Sequence, residues 1–152
     1  MRRLFLAGGA LVALDQATKS MFESQKAILS DFFAIKYSQN TGAAFGMLSG
    51  RNSLVAILNL AILLLVMHYY YTVRKSKQAL LKSGLVLLFA GAAGNLIDRL
   101  MLGYVRDFIA VWVWPTFNLA DAFSTVGAAL IAVHLLKEEY PNIKRKIKRL
   151  AP

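Results

Sequence analysis

The chain runs from Asn52 to Val73 without a charged residue, over 22 positions rich in leucine, isoleucine and valine. At about 1.5 Å per residue, a helix of this length crosses the ~30 Å hydrocarbon core of a bilayer. Further apolar runs lie on both sides of this one, and the mean hydropathy is +0.50. A chain of this composition is typical of an integral membrane protein.

We predict one integral membrane domain over residues 1–152, of the membrane all-α class. It is a four-transmembrane-helix bundle with spans at about 4–21, 53–71, 83–102 and 119–136. The first run resembles a signal peptide, but Asp15 stands where a cleavage site is expected, so we interpret it as an uncleaved span. Residues 22–52 combine the strand-like DFFAIKYSQ with turn residues, which predicts a small extracytoplasmic β-cradle between spans 1 and 2.

Charge predicts the orientation. Four spans place both termini on one side, and the terminal segments with the 74–82 loop carry 12 of the 18 Lys and Arg residues. Positive loops stay in the cytoplasm, so we expect both termini there. The basic residues flank apolar runs, which favours a membrane over a nucleic-acid partner despite a net charge of +10.

Several chemistries are disfavoured. With no cysteine, the chain has no disulfide and no thiolate site, and it cannot be an acylated lipoprotein itself. His68 and His134 fall near the cytoplasmic ends of their spans, so we interpret them as interfacial side chains rather than metal ligands or triad members. We expect no cofactor and no metal, although a site made only of carboxylates stays possible.

Polar residues concentrate between Gly91 and Asp121, bordered by apolar runs. Asp15, Asp98 and Asp121 lie 12, 16 and 16 residues from the flanking basic residues on their helices. These separations place the three carboxylates ~18–24 Å from the cytoplasmic boundary, in the outer leaflet. Asp107 lies in the connection on that side. Because ionisable groups are costly in hydrocarbon, such a cluster indicates a functional site.

Helical spacing predicts that this cluster points into the bundle. Gly91, Asn95 and Asp98 share one stripe of the third span, with Gly94 beside it. On the fourth span the corresponding stripe holds Asp121, Ser124, Thr125 and Ala128. On the first span Asp15 and Lys19 are spaced i,i+4, which predicts an ion pair.

Two neighbouring carboxylates cannot both ionise easily, so one keeps a proton while the other acts as a base. Asp107 and Asp121 are our candidate acid–base dyad, because both lie at the outer edge where water can enter. Two alternatives stay open on composition: an ion- or proton-coupled transporter and a structural membrane subunit whose polar cluster fixes helix packing. The apolar cytoplasmic halves of spans two to four argue against a transport path.

Five motifs then appear in order. They are DQATK at 15–19, NTGAAFG at 40–46, GAAGNLIDR at 91–99, VRDF at 105–108 and FNLAD at 117–121. With four spans, this set resembles the bacterial lipoprotein signal peptidases (signal peptidase II) over essentially the whole chain.

The resemblance implies an intramembrane aspartyl protease of the bacterial inner membrane that cleaves prolipoproteins before a diacylglyceryl-modified cysteine. It implies that Asp107 and Asp121 are catalytic, that Asp15 stabilises the fold, and that residues 103–116 form a mobile flap. Site-supporting or substrate-binding positions would be Asn40, Asn95, Asp98, Arg99 and Asn118. Partners would be lipidated precursors and membrane lipids, and we expect a monomer.

The chain departs from the family pattern at two places. The family commonly has an aliphatic residue before the first catalytic aspartate, where this chain has Arg106. After the second aspartate the family usually shows serine, whereas Ala122 and Phe123 follow here. Both carboxylates are present, so these differences bear on substrate fit and on the pKa values of the dyad rather than on catalysis.

Overall fold

The computed structural model describes residues 1–23, 25–28, 30–42 and 50–150. Within these ranges the chain forms four α-helices and a three-stranded sheet. The helices are α1 (Arg2–Met21), α2 (Asn52–Val73), α3 (Ala79–Leu102) and α4 (Leu119–Leu150). The strands are β1 (Lys26–Ile28), β2 (Phe33–Asn40) and β3 (Val105–Val111). The predicted helical segments agree within a few residues, except that α4 continues past residue 136.

In the described part of the chain, three helical segments are long and apolar enough to cross a membrane: Asn52–Val73, Ala79–Leu102 and Leu119–Tyr140. Their outward faces carry large apolar side chains such as Leu65 and Leu100, which are 68% and 71% exposed. Exposed apolar surface of this kind favours lipid over water. Helix α1 is less apolar because charged residues interrupt it, so a fourth span stays a prediction.

Helix α3 is central and contacts each of the other three helices. It meets α4 along small residues that let the two backbones approach closely. A Cβ atom added to Gly84 would lie 2.8 Å from the carbonyl oxygen of Gly127, and one added to Gly91 would overlap the Ser124 hydroxyl. Any side chain at these positions would push the helices apart. The predicted glycine stripe of the third span is therefore a packing surface.

The face of α4 that packs on α3 differs in part from the predicted one. Ser124 lies at the contact as expected, but Thr125 and Ala128 are exposed. Gly127 is buried against α3 instead. Because glycine permits the closest approach, α4 turns this residue toward α3 and the neighbouring positions away from it.

The sheet has the order β1–β2–β3 with both pairs antiparallel. The prediction confined β-structure to residues 22–52, but β3 comes from the connection between α3 and α4. Gly103 ends α3 in the left-handed conformation, with φ of 82°, and redirects the chain into β3. Much of the predicted flap is therefore a paired strand, in which Asp107 lies opposite Ser38 of β2.

Candidate active site

The N-terminus of α4 is capped by two side chains that bond each other's backbone. Asn118 Oδ1 accepts a hydrogen bond from Asp121 N at 2.9 Å, and Asp121 Oδ2 accepts one from Asn118 N at 3.2 Å. This reciprocal pattern is a capping box, which satisfies N–H groups that the helix leaves without partners. The cap therefore fixes the Asp121 carboxylate at the start of α4.

Strand β3 brings a second carboxylate to this cap. Phe117 N donates to Ile109 O at 3.0 Å and Ile109 N donates back to Phe117 O at 2.8 Å, which ties β3 to the start of α4. Asn118 Nδ2 then donates to Asp107 Oδ1 at 2.6 Å. Asn40 Nδ2, on β2, donates to Asp107 Oδ2 at 3.0 Å. Asn118 thus contacts both carboxylates, Asp107 and Asp121, which we call the carboxylate pair.

The two members of the carboxylate pair differ in exposure. Asp107 is 1% exposed, whereas Asp121 is partly exposed, so the prediction that both lie open to water is wrong for Asp107. Burial and the negative charge of Asp121 raise the pKa of Asp107 to about 7, against hydrogen bonds from Asn40 and Asn118 that lower it. Near neutral pH, a proton is therefore available at Asp107 for acid–base chemistry.

Asn95 links the carboxylate pair to α1. Its Nδ2 donates to Asp121 Oδ1 at 2.7 Å. Its Oδ1 accepts from Lys19 Nζ at 3.0 Å and from Asn118 Nδ2 at 3.2 Å. An ammonium group can only donate, so Lys19 holds the amide oxygen toward itself and leaves the amide nitrogen for Asp121.

Asp15 is fully buried beside the first turn of α4. Its Oδ1 accepts a hydrogen bond from Ala120 N at 2.9 Å, and its Oδ2 lies 2.9 Å from Lys19 Nζ, as the i,i+4 spacing predicts. Gly94 on α3 leaves room for the Asp15 carboxylate, because a Cβ atom at this position would lie 2.6 Å from Asp15 Oδ2. Asp15 therefore joins α1 to α3 and α4, which favours a structural role.

Asp98 anchors β3 to α3. Its Oδ2 accepts from Arg106 N and its Oδ1 from Arg106 Nη2, both at 2.9 Å. The same guanidinium donates to Gln16 Oε1 at 2.9 Å and lies 3.5 Å from Glu23. The hydrogen bond with Asp98 raises the pKa of Arg106. Arg106 therefore fastens the strand that carries Asp107 to two helices.

The parts that Arg106 and Gln16 play are not evident from the sequence. Arg106 stands out there only as a departure from the family pattern, and Gln16 only as one residue of the DQATK motif. One signal was present: neighbours on a strand face opposite sides, so the residue beside Asp107 must point away from the carboxylate pair. On that side lies α1, whose Gln16 accepts from Arg106, and the ring of Phe108, two residues further along the strand, stacks on Phe22 just beyond α1 at a centroid distance of 5.0 Å.

Arg99 fastens the chain beyond β2 to α3. It is buried, and its guanidinium donates to Gly42 O at 2.8 Å and to Asn95 O at 3.3 Å. Its Nε has no hydrogen-bond partner among the described residues. The remainder of the NTGAAFG motif and of the predicted cradle, residues 43–49, lies outside the described residues.

The structure thus gathers five predicted site residues around the cap, namely Asn40, Asn95, Asp107, Asn118 and Asp121. The histidines take no part in it. His68 is exposed and His134 is buried, and both lie far from the carboxylate pair. His134 lies 13 residues beyond Asp121, about 20 Å along α4. Within the described residues, no group of three His, Asp or Glu side chains is placed to hold a metal ion.

Helices that are long and apolar enough to cross a membrane, with two linked carboxylates between them, are the features of an integral membrane protein with a polar site. Residues 8–137 match the family model of signal peptidase (SPase) II. The chain belongs to this family and is therefore a peptidase, and the comparisons give the transporter alternative no support.

The relatives cover most of the chain. Lipoprotein signal peptidase of Halothermothrix orenii is 40% identical over 135 residues, covering 85% of this chain and 92% of the relative. That of Symbiobacterium thermophilum is 40% identical over 139 residues, covering 84% and 90%. A bacterial membrane enzyme solved at 2.3 Å is 32% identical with a TM-score of 0.82, covering 93% of this chain and 92% of that chain. Another, solved at 1.9 Å, is 33% identical with a TM-score of 0.77, covering 90% and 94%.

Proposed function

We propose that this protein is an aspartic endopeptidase that removes signal peptides from prolipoproteins by cleaving before the diacylglyceryl-modified cysteine. The names of the relatives support the substrate class. The aspartic mechanism rests on one observation: Asn118 donates to Asp107 through its side chain and to Asp121 through its backbone. Two carboxylates joined in this way can act as acid and base on one peptide bond.

In the proposed reaction the ionised carboxylate takes a proton from a water molecule, whose oxygen attacks the scissile carbonyl carbon. The protonated carboxyl group gives its proton to the carbonyl oxygen, which forms a tetrahedral diol. When the C–N bond breaks, the first carboxyl group protonates the leaving nitrogen, and the second recovers its proton from a diol hydroxyl. The products are a signal peptide with a new carboxylate and a lipidated cysteine with a free amine. No covalent enzyme intermediate forms.

We also propose that the protein crosses the membrane four times, with α1 as the first span. The charges of α1 lower its hydropathy, but Asp15 and Lys19 lie 2.9 Å apart and neutralise each other. Both termini are then cytoplasmic, and the carboxylate pair lies in the outer leaflet of the bacterial inner membrane. Asn40, Asn95 and Asn118 position the pair, while Asp98 and Arg99 fasten the elements that carry it. The protein acts as a monomer surrounded by lipid.

The pH dependence follows from the shared proton. We expect kcat/KM to fall about tenfold per pH unit above pH 7, because the raised pKa of Asp107, about 7, is where the pair loses its proton. Because folding raises the pKa of this carboxyl group from 3.8 to about 7, its contribution lowers the free energy of unfolding as pH rises from about 4 to 7 and adds no further loss above pH 7. Melting curves at each pH therefore separate a loss of activity above pH 7 from unfolding. Initial rates between pH 5 and 9 test this expectation, and a flat profile from pH 6 to 9 contradicts it.

The lipid on the substrate should be required. A carboxylate pair in the outer leaflet is reached by a cysteine held at that depth, which the diacylglyceryl chains supply by lying against the bundle. We expect kcat/KM for an unlipidated precursor to be at least about 100-fold below that for the same precursor after lipidation. The purified protein is incubated with each form and release of the signal peptide is measured. Equal cleavage of the two forms would contradict the proposal that the substrate must be lipidated.

A further inference from the structure

A cavity of about 490 Å³ opens where the start of α1, the end of α2 and the start of α3 meet. Its volume falls in the ~300–1,000 Å³ range of small-molecule sites. Lys82 at this cavity and Asn95 beside the carboxylate pair lie 13 residues apart on α3, about 20 Å along the helix. The cavity is therefore separate from the proposed active site.

The lining of the cavity divides into a basic part and an apolar part. The basic part consists of Arg3, Arg74 and Lys82, one from each of the three segments. The apolar part includes Ala7, Leu11 and Val86. No acidic residue lines the cavity among the described residues. Such a division matches a ligand with an anionic head and an apolar tail.

Two of the cations are held in place by neutral groups. The Arg74 guanidinium lies 3.5 Å above the centre of the Tyr71 ring and donates to the Tyr71 carbonyl oxygen. Lys82 Nζ donates to Ser76 O at 2.6 Å. These contacts orient both side chains, and no carboxylate of the described residues forms an ion pair with either of them. Arg3 is exposed at the start of α1.

We propose that this cavity binds an anionic phospholipid. The phosphate lies among Arg3, Arg74 and Lys82, and one acyl chain follows the apolar wall formed by α1 and α3. Basic pockets between membrane helices bind anionic head groups in this way. A zwitterionic lipid would bring its own cation among three positive charges, and free phosphate would leave the apolar wall unfilled. In the proposed topology the lipid comes from the cytoplasmic leaflet.

Native mass spectrometry of the full chain in detergent tests the site, with phosphatidylglycerol and phosphatidylcholine titrated separately. The wild-type protein should retain phosphatidylglycerol in preference to phosphatidylcholine. The double variant Arg3→Gln/Lys82→Gln should bind phosphatidylglycerol about 30-fold more weakly. The matched control is Lys75→Gln/Lys77→Gln, which removes two exposed charges of the neighbouring loop that do not line the cavity. This control should lose clearly less affinity for phosphatidylglycerol than the Arg3→Gln/Lys82→Gln variant.

Two further arms separate the remaining explanations. Ala7→Phe fills the apolar part of the cavity without changing the charge, and this variant should also bind phosphatidylglycerol more weakly than the wild-type protein. Glycerol phosphate, which lacks acyl chains, should not displace the lipid. Equal losses in the two double variants, no preference for phosphatidylglycerol, unchanged binding by Ala7→Phe, or displacement by glycerol phosphate would each overturn the proposal.

Discussion

Replacing Asp107 or Asp121 with asparagine is expected to lower kcat at least about 10³-fold while the protein stays folded. An amide keeps the shape of the carboxyl group, but it can neither take a proton from water nor share one with its neighbour. Because the two groups act as a unit, the double variant should be no slower than the slower single variant.

Single-turnover rates on a lipidated precursor measure this effect, and a melting curve of each variant shows that it is folded. Asp31→Asn is the matched control, because Asp31 is an exposed aspartate between β1 and β2. It should cleave at the wild-type rate. If either Asp107→Asn or Asp121→Asn kept more than a tenth of the wild-type rate, the assignment of the dyad would be wrong.

Asp15→Asn should have the largest effect on stability, a loss of at most about 3–5 kcal/mol, which is the cost of leaving a buried charge without a partner. Asp15 and Lys19 are both fully buried and 2.9 Å apart, so the substitution removes the nearer carboxylate from a buried ammonium group and leaves it only Asp98, at 3.5 Å. Asparagine still offers an oxygen to Ala120 N, so the loss comes mainly from Lys19. Turnover per folded molecule should change less than tenfold, because Asp15 acts through the helix rather than on the substrate.

The double variant Asp15→Asn/Lys19→Met separates the two roles. Removing the ammonium group that has lost its nearer carboxylate should restore part of the lost stability, while activity falls because Asn95 loses the donor that orients it. Melting curves in detergent and initial rates on the same samples give both quantities. A wild-type melting temperature combined with lost activity in Asp15→Asn would show a catalytic rather than a structural aspartate.

Much of the fold could be predicted because it follows from local pattern. Uncharged runs and helical spacing predicted the helices, the Asp15–Lys19 ion pair and the glycine stripe of α3. The third strand could not be predicted, because its pairing depends on partners more than 60 residues away in sequence, such as Ser38 opposite Asp107. The β3 segment itself gave no alternating pattern, because four successive residues, 105–108, are buried.

The candidate active site could also be predicted only in part. Depth and spacing pointed to Asp107 and Asp121, which the structure brings together on Asn118. The orientation of Asn95 by Lys19 and the fastening of β3 by Arg106 could not be predicted, because each needs the relative rotation of three elements. A charged residue on a short strand is ordinarily solvated, and only the structure shows Arg106 bonded to Asp98 and Gln16.

The most direct test of the proposed reaction is the mass of both products when the wild-type protein cleaves a diacylglyceryl-modified precursor in ¹⁸O water. We predict a signal peptide that ends at the residue before the cysteine and carries one oxygen from solvent, and a mature protein whose lipidated cysteine has a free amine. Both products should be missing from the Asp107→Asn and Asp121→Asn reactions. A cut at another bond, a signal peptide without solvent oxygen, or a peptide attached covalently to the enzyme would contradict the account.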